Sequence, residues 1–140
     1  MPRKYIPKSV KEEVANRSGG YCEYCKFLRK YAYAFAYEHI IPIVLGGSDA
    51  PDNLAYSCLG CNSFKQAAVN AIDPESGETV ALFHPRKEKW SDHFSWSKDA
   101  LKIIGLTATG RATIDKLQTN REASIHFRRL LLLSGEHPPE

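Results

Sequence analysis

Residues 37–65 of the chain read YEHIIPIVLGGSDAPDNLAYSCLGCNSFK, and the residue types along this segment predict the order of its strands and helix. The alternation over residues 31–41 is typical of a strand. Residues 42–52 contain two prolines and two glycines, which favour a loop. Residues 53–57 predict a short return strand, and residues 62–72 have the apolar spacing of a helix. The sequence therefore predicts strand, loop, strand and helix in this order.

All four cysteines fall in two C-x-x-C pairs, Cys22 with Cys25 before the first strand and Cys58 with Cys61 after the second. Each pair can close around a metal as a tight knuckle, and two knuckles supply the four thiolates of a tetrahedral structural zinc site. A redox dithiol needs only one such pair. Disulfides are not expected in a chain that lacks an export signal, because they persist mainly in oxidising compartments. An iron–sulfur cluster is the remaining alternative. The pattern favours structural zinc, which leaves no open position for chemistry.

The composition is that of one ordinary globular domain over residues 1–140, with 43% hydrophobic and 25% charged residues. No apolar run approaches the roughly 20 residues that span a bilayer. The start of the chain is basic and lacks the apolar stretch of a secretory signal. We therefore expect no membrane association and a cytoplasmic location. The oligomeric state is left open.

The net charge of +3 is unevenly distributed. Residues 1–30 carry eight Lys/Arg and three Asp/Glu, residues 31–83 carry one and six, and residues 84–140 carry ten and seven. An acidic centre between two basic arms suits a site that holds a cation while its surroundings bind phosphates. Solvated surface charge explains the same distribution equally well.

The flanking segments are predicted to be mainly helical. Residues 10–17 predict a short helix with Ser9 as its candidate cap, and residues 109–117 and 121–133 predict two more. Residues 79–83 are predicted as a strand. Four residues of the last helix have core-facing spacing: Ala123, Phe127, Leu130 and Leu131. The pair Arg128-Arg129 is expected on the solvated face of that helix.

Together the motifs resemble the HNH endonuclease family over about residues 20–66. Four elements occur in the family's order: Glu38-His39, Gly46-Gly47, Asn53-Leu54, and Cys61-Asn62 with Lys65 three residues later. The resemblance implies an α+β chain with a ββα-metal core and two zinc knuckles over about residues 20–73. An N-terminal helix would precede this core, and a mainly helical extension over about residues 79–135 would follow it.

The resemblance further implies a metal-dependent DNA endonuclease. His39 would be the general base that takes a proton from the water attacking phosphorus. Glu38 and Asn62 would hold the catalytic Mg²⁺ or Mn²⁺, which neutralises the scissile phosphate. Asn53 would steady the loop or orient His39 through hydrogen bonds. No organic cofactor is implied.

Two further residues are candidate nucleic-acid contacts. Lys65 lies one turn beyond Asn62, and Arg111 stands at an apparent helix start, so either side chain can reach a phosphate. An exposed lysine on a helix explains Lys65 without any such contact.

Two departures from the commonest family pattern bear on the metal. Glu38 stands where Asp is usual, so its carboxylate reaches one methylene further. The third signature residue is Asn62 and not His, which favours an ion that prefers oxygen ligands.

Ideal alternation along the first strand sends Glu38 and His39 to opposite faces of the strand. Both serve one site only if the strand ends, twists or bulges there.

Two other classes of protein remain open. One is a zinc-knuckle nucleic-acid-binding module whose HNH-like centre does not cleave. The other is a zinc-dependent protein-interaction domain, which would leave the basic arms and the arrangement around His39 unexplained. Convergence of Glu38, His39 and Asn62 on one small site would favour the enzyme.

Overall fold

The computed structural model describes residues 6–139, so residues 1–5 of the basic N-terminal arm and residue 140 lie outside it. Within this range the helices and strands follow in the order α1 (Lys8–Arg17), β1 (Phe35–His39), β2 (Leu54–Cys58), α2 (Leu59–Lys65), β3 (Asn70–Ile72), β4 (Thr79–Ala81), α3 (Trp90–His93), β5 (Phe94–Trp96), β6 (Ile103–Gly105), α4 (Ala108–Leu117) and α5 (Glu122–Leu133). The strands pair in order as three two-stranded antiparallel sheets. None of the described helices is long and apolar enough to cross a membrane.

The strands β1 and β2 form the hairpin that precedes helix α2, in the order predicted from residues 37–65. Phe35 pairs with Cys58 at one end of the hairpin, and His39 pairs with Leu54 at the other. All five residues of β2 are buried. The strand β1 starts at Phe35, later than the alternation suggests, because Arg29–Tyr31 form a 3-10 turn and Tyr33 is almost fully exposed. The aromatic residues Tyr31 and Tyr33, before Phe35, are therefore exposed and do not form the buried face of a strand.

The loop between β1 and β2 folds back against the end of β1. It contains two 3-10 turns, Ile43–Leu45 and Pro51–Asn53. Gly46 follows the first turn with a φ of 89°, a left-handed conformation that glycine adopts without strain. A Cβ atom on Gly47 would lie 1.7 Å from the carbonyl oxygen of Ile41. The loop can approach the strand this closely only because residue 47 has no side chain.

Helix α2 is shorter than predicted, which corrects the helix expected over residues 62–72. The helix ends at Lys65, and Gln66 has a φ of 54°. Residues Asn70–Ile72 form β3, which pairs with β4. The spacing of the apolar residues between 67 and 72 is compatible with a helix or with a strand. The positive φ of Gln66 ends the helix, so the residues that follow can form a strand. Only the central residue of β3, Ala71, packs against the core.

The C-terminal part contains more strand than predicted. Helices α4 and α5 lie where two helices are expected, and β4 begins at Thr79 as predicted. The hairpin of β5 and β6 within residues 94–105 was not predicted. Both of its strands are three residues long, too short for a period to show in the sequence.

The N-cap of α1 is Pro7 without a side-chain bond, so Ser9 lies inside the helix and is not its cap.

Helix α5 turns only part of the expected face to the core, where the ring of Phe127 packs against that of Phe27 with their centroids 4.9 Å apart. Leu131 is buried, as predicted, but Ala123 is exposed and Leu130 is 50% exposed. Arg128, expected in solvent, is buried and donates hydrogen bonds to the carbonyl oxygens of Leu101 at 2.9 Å and Thr119 at 2.6 Å. A guanidinium that satisfies backbone carbonyls in this way can be buried at little cost. The neighbouring Arg129 is exposed, as expected.

The two loop glycines provide a test of how tightly the loop is held. Gly46→Ala places a Cβ on a left-handed residue with open space around it, and we expect a loss of about 1–2 kcal/mol in the free energy of unfolding. Gly47→Ala forces the Ile41 carbonyl away, and we expect about 3 kcal/mol, the upper end for overpacked sites. Urea unfolding of the two zinc-loaded variants measures both losses. Equal losses would mean that the loop is not held against β1.

Candidate functional site

The four cysteines come together in one buried cluster. Their sulfur atoms all lie within 4.8 Å of one another, and each cysteine is buried and free of disulfide bonds. The sulfurs of Cys25 and Cys58 are 3.6 Å apart. Tetrahedral zinc with sulfur at about 2.3 Å separates its ligand sulfurs by about 3.8 Å. The donor set and its spacing are therefore compatible with zinc.

Backbone amides support both cysteine pairs. The amide of Cys25 donates to the sulfur of Cys22 at 3.5 Å, and the amide of Cys61 donates to the sulfur of Cys58 at 3.4 Å. Cys58 also occupies the N-cap position of α2. These amides stabilise sulfur in its anionic form. Both pairs therefore have the hydrogen bonds that a metal-binding knuckle requires.

Arg121, which the sequence did not single out, lies beside the cluster. Its Nη2 atom donates to the sulfur of Cys58 at 3.6 Å. A Cβ atom on Gly60 would lie 2.4 Å from the same nitrogen, so a glycine at this position lets the guanidinium approach. Four thiolates around Zn²⁺ leave two negative charges, and a guanidinium in contact with them offsets part of that charge.

Glu38 is turned into the protein interior. The Tyr24 hydroxyl donates to its Oε1 atom at 2.6 Å, and the Lys65 ammonium donates to its Oε2 atom at 3.0 Å. The side chains of Glu38 and Lys65 are only 4% and 1% exposed. Burial raises the pKa of the Glu38 carboxyl above its ordinary value, and the charge of Lys65 and the two hydrogen bonds oppose that rise.

Lys65 therefore has a different place from the one predicted for it. Its ammonium donates to Glu38 and to the carbonyl oxygen of Ile40, at 3.2 Å, and does not reach solvent. The expected contact with a nucleic-acid phosphate is corrected to a buried ion pair. The Glu38 carboxylate and the Ile40 carbonyl oxygen are what hold this lysine inward.

His39 contacts a different partner from its neighbour Glu38. Its Nε2 atom lies 2.6 Å from the Oδ1 atom of Asp49, which belongs to the loop between β1 and β2. The His39 side chain is 10% exposed, and that of Asp49 is 35% exposed. The alternation of β1 thus sends the two adjacent side chains to different surroundings, Glu38 to α2 and His39 to the loop. Asp49 had no distinguishing signal in the sequence beyond its place after Gly46-Gly47.

Asn53 holds the loop. Its side-chain oxygen accepts a hydrogen bond from the amide of Ile41 at 2.9 Å. Its side-chain nitrogen donates to the carbonyl oxygens of Ile41 at 3.0 Å and Ser48 at 2.8 Å. These three bonds join the end of β1 to the residue before Asp49. Of the two roles expected for Asn53, its contacts correspond to the steadying of the loop.

Asn62 lies in the first half of α2, half-buried and one turn before Lys65. Its predicted partner for a divalent ion, Glu38, has a hydrogen-bond donor on each carboxylate oxygen. A divalent ion needs open oxygen ligands. In this arrangement the carboxylate therefore does not fit a metal ligand, because the Lys65 ammonium is already the cation beside it. Glu38 has Lys65 as its partner and His39 has Asp49, and the convergence of Glu38, His39 and Asn62 on one small site stays a prediction.

Arg111, the second predicted phosphate contact, is also paired within the protein. Its Nε and Nη2 atoms donate to the two carboxylate oxygens of Asp73, each at 2.9 Å, and Nε lies 3.2 Å from Glu75. The Arg111 guanidinium holds the pKa of Asp73 well below its usual range. This bidentate ion pair joins α4 to the turn after β3, and the contact of Arg111 with a phosphate stays a prediction.

A groove of about 420 Å³ runs beside the residues that follow His39. Its wall includes Ile40 and Ile41 after β1 and His84 and Lys87 before α3. Lys87 is exposed, and burial and the charge of Lys87 lower the pKa of His84. The groove therefore places an exposed lysine, the exposed carboxylate of Glu88 and a partly buried imidazole near the end of β1.

Comparison with known families gives one match. Residues 22–67 match the family model described as HNH endonuclease, which covers about one third of the chain. The matched segment contains both cysteine pairs, the hairpin and α2. Searches of curated proteins and of solved structures found no match. The HNH resemblance predicted from the motifs is confirmed, and it indicates a nuclease or another function related to nucleic acids.

The cysteine cluster predicts one tightly bound zinc ion per chain. Cys58→Ser should lose the metal and unfold, because binding at such a site is coupled to folding. Ser63→Ala, an exposed change on α2, should keep both metal and fold. Elemental analysis and circular dichroism measure the two properties. A metal-free wild type with a disulfide in either pair, purified under reducing conditions, would refute the zinc site.

The buried ion pair predicts a specific pattern of stability. Lys65→Met leaves the Glu38 carboxylate buried without its cation, and we expect a loss of about 3–5 kcal/mol in the free energy of unfolding. Glu38→Gln combined with Lys65→Met removes both charges and should recover most of that loss. Lys98→Met, on the surface, should change it by less than about 0.5 kcal/mol. Urea unfolding with excess zinc measures all three, and no recovery in the double variant would contradict the pairing.

Proposed function

We propose that this protein is a zinc-stabilised HNH endonuclease that hydrolyses DNA phosphodiester bonds with His39 as general base. The observation that carries the proposal is the position of His39 within the segment that matches the family. It ends β1, it is held through one ring nitrogen by a carboxylate, and it stands next to a loop that hydrogen bonds fix in place. A histidine held this way is suited to take a proton from water near neutral pH.

The groove beside the end of β1 favours an extended polyanion as the substrate. Exposed Lys87 lies on its wall, and phosphate contacts of this kind position a nucleic acid without reading its sequence. The basic flanking segments add charge that favours the same class of ligand. DNA is the expected substrate, since it is the one implied by the family resemblance.

The proposal assigns no catalytic step to a divalent ion. Mg²⁺ or Mn²⁺ held by Glu38 and Asn62 is implied by the family resemblance, but such an ion would require Lys65 to leave Glu38 first. The proposed roles are therefore limited to residues of the chain itself. His39 accepts the proton of the attacking water, and Asn53 keeps the loop beside His39 in place.

The experiment that tests the proposal is cleavage of a supercoiled plasmid by zinc-loaded protein with Mg²⁺ or Mn²⁺ added. His39→Ala should slow cleavage by about 10²–10⁴-fold, the usual contribution of a general base. Its affinity for DNA should stay nearly unchanged, because Lys and Arg supply most of nonspecific binding. His126→Ala, an exposed histidine on α5, is the matched control and should cut like the wild type.

Two results would contradict the proposal. If His39→Ala cuts as fast as the wild type, the base is another residue. If the wild type binds the plasmid but leaves it intact with every divalent ion tried, the chain is a zinc-stabilised nucleic-acid-binding module and not a nuclease.

A further inference from the structure

The His39–Asp49 contact determines which ring nitrogen of His39 is free. The Nε2 atom lies 2.6 Å from Oδ1 of Asp49, a short distance for a nitrogen–carboxylate hydrogen bond. An ionised carboxylate only accepts hydrogen bonds, so the ring nitrogen must be the donor. Nε2 therefore carries the proton, and in the neutral ring Nδ1 keeps its lone pair.

The loop holds Asp49 in place for this contact. Asn53 donates to the carbonyl oxygen of Ser48, the residue before Asp49, and the side chain of Ser48 accepts from the amide of Ala50 at 3.2 Å. The backbone on both sides of Asp49 is thus hydrogen-bonded. Gly47 brings the same loop against the end of β1. The carboxylate is presented to the ring by a constrained segment and not by a freely moving one.

We infer that Asp49 is a positioning residue for His39: it accepts the Nε2 proton, fixes the orientation of the ring, and leaves Nδ1 to receive the proton of the attacking water. The inference rests on the proposed nuclease function and names the residue and the nitrogen that the function requires. Asp49 does not touch the substrate. It acts by fixing the tautomer and by stabilising the imidazolium that forms.

An O–H bond of water breaks and its proton moves to Nδ1, while the water oxygen forms a bond to phosphorus. The bond from phosphorus to the leaving oxygen breaks, and that oxygen keeps the electron pair and takes a proton from solvent. The Nε2–H bond to Asp49 stays intact throughout, and the carboxylate faces the new positive charge of the ring.

Nuclear magnetic resonance tests the contact without any cleavage. In ¹⁵N-labelled, zinc-loaded wild type, the His39 ring should show a hydrogen-bonded N–H proton shifted far downfield and attached to Nε2. His39→Ala assigns the signal among the five histidines. Asp49→Ala should abolish it, and Asp49→Asn should keep a weaker shift, because an amide oxygen still accepts but carries no charge. Asp52→Asn removes the same charge from an exposed site three residues away and should leave the signal unchanged.

Plasmid cleavage tests the consequence. Asp49→Ala should lower kcat by about 10–100-fold, the usual effect of losing a partner that orients an active side chain, with KM and zinc content unchanged. Asp49→Asn should fall between Asp49→Ala and the wild type, and Asp52→Asn should match the wild type. A loss that appeared in KM alone would assign Asp49 to substrate binding and overturn the inference.

The results separate the inference from the proposed function. An inactive wild type would overturn both. An active wild type with its downfield proton on Nδ1, or with a signal that survives Asp49→Ala, would overturn the inference alone. An Asp49→Ala variant that cuts as fast as an active wild type would also overturn the inference alone.

Discussion

The cluster of four buried cysteine sulfurs connects parts of the chain that are far apart in sequence. It ties the turn at Cys22 and Cys25 to the end of β2 and the first turn of α2, 33 residues further along the chain. The hairpin of β1 and β2 lies between the two tied points, and the cluster holds the end of the hairpin at which β1 begins, where Phe35 pairs with Cys58. A chain of this size has a limited core, and a metal in this cluster would stabilise it through the coupling of binding to folding.

Charges inside the fold are tolerated because each has a partner. Glu38 and Lys65 join β1 to α2, Asp73 and Arg111 join the turn after β3 to α4, and Arg128 satisfies two backbone carbonyls. An unpaired charge in any of these places would cost several kcal/mol. These pairs explain why basic residues that suggest phosphate binding in the sequence have internal roles.

The loop between β1 and β2 gives a physical reason for several motif elements at once. Gly47 allows the loop to touch the strand, Asn53 fastens it there, and Asp49 then meets the ring of His39. Loss of any one contact loosens the others, because all of them depend on the same approach of loop to strand. The role proposed for His39 therefore depends on the position of the loop as well as on the imidazole itself.

The sequence by itself determined the parts of the protein that depend on local spacing. The cysteine pairs, the hairpin followed by a helix, and the HNH resemblance around His39 are all visible along the chain. The end of α2, the hairpin of β5 and β6, and the inward face of α5 were decided by tertiary packing, which short segments do not encode. The same is true of Lys65 and Asp49. Whether a lysine is buried or an aspartate reaches a histidine depends on side chains 27 and 10 residues away, and sequence periodicity carries no information about such distant partners.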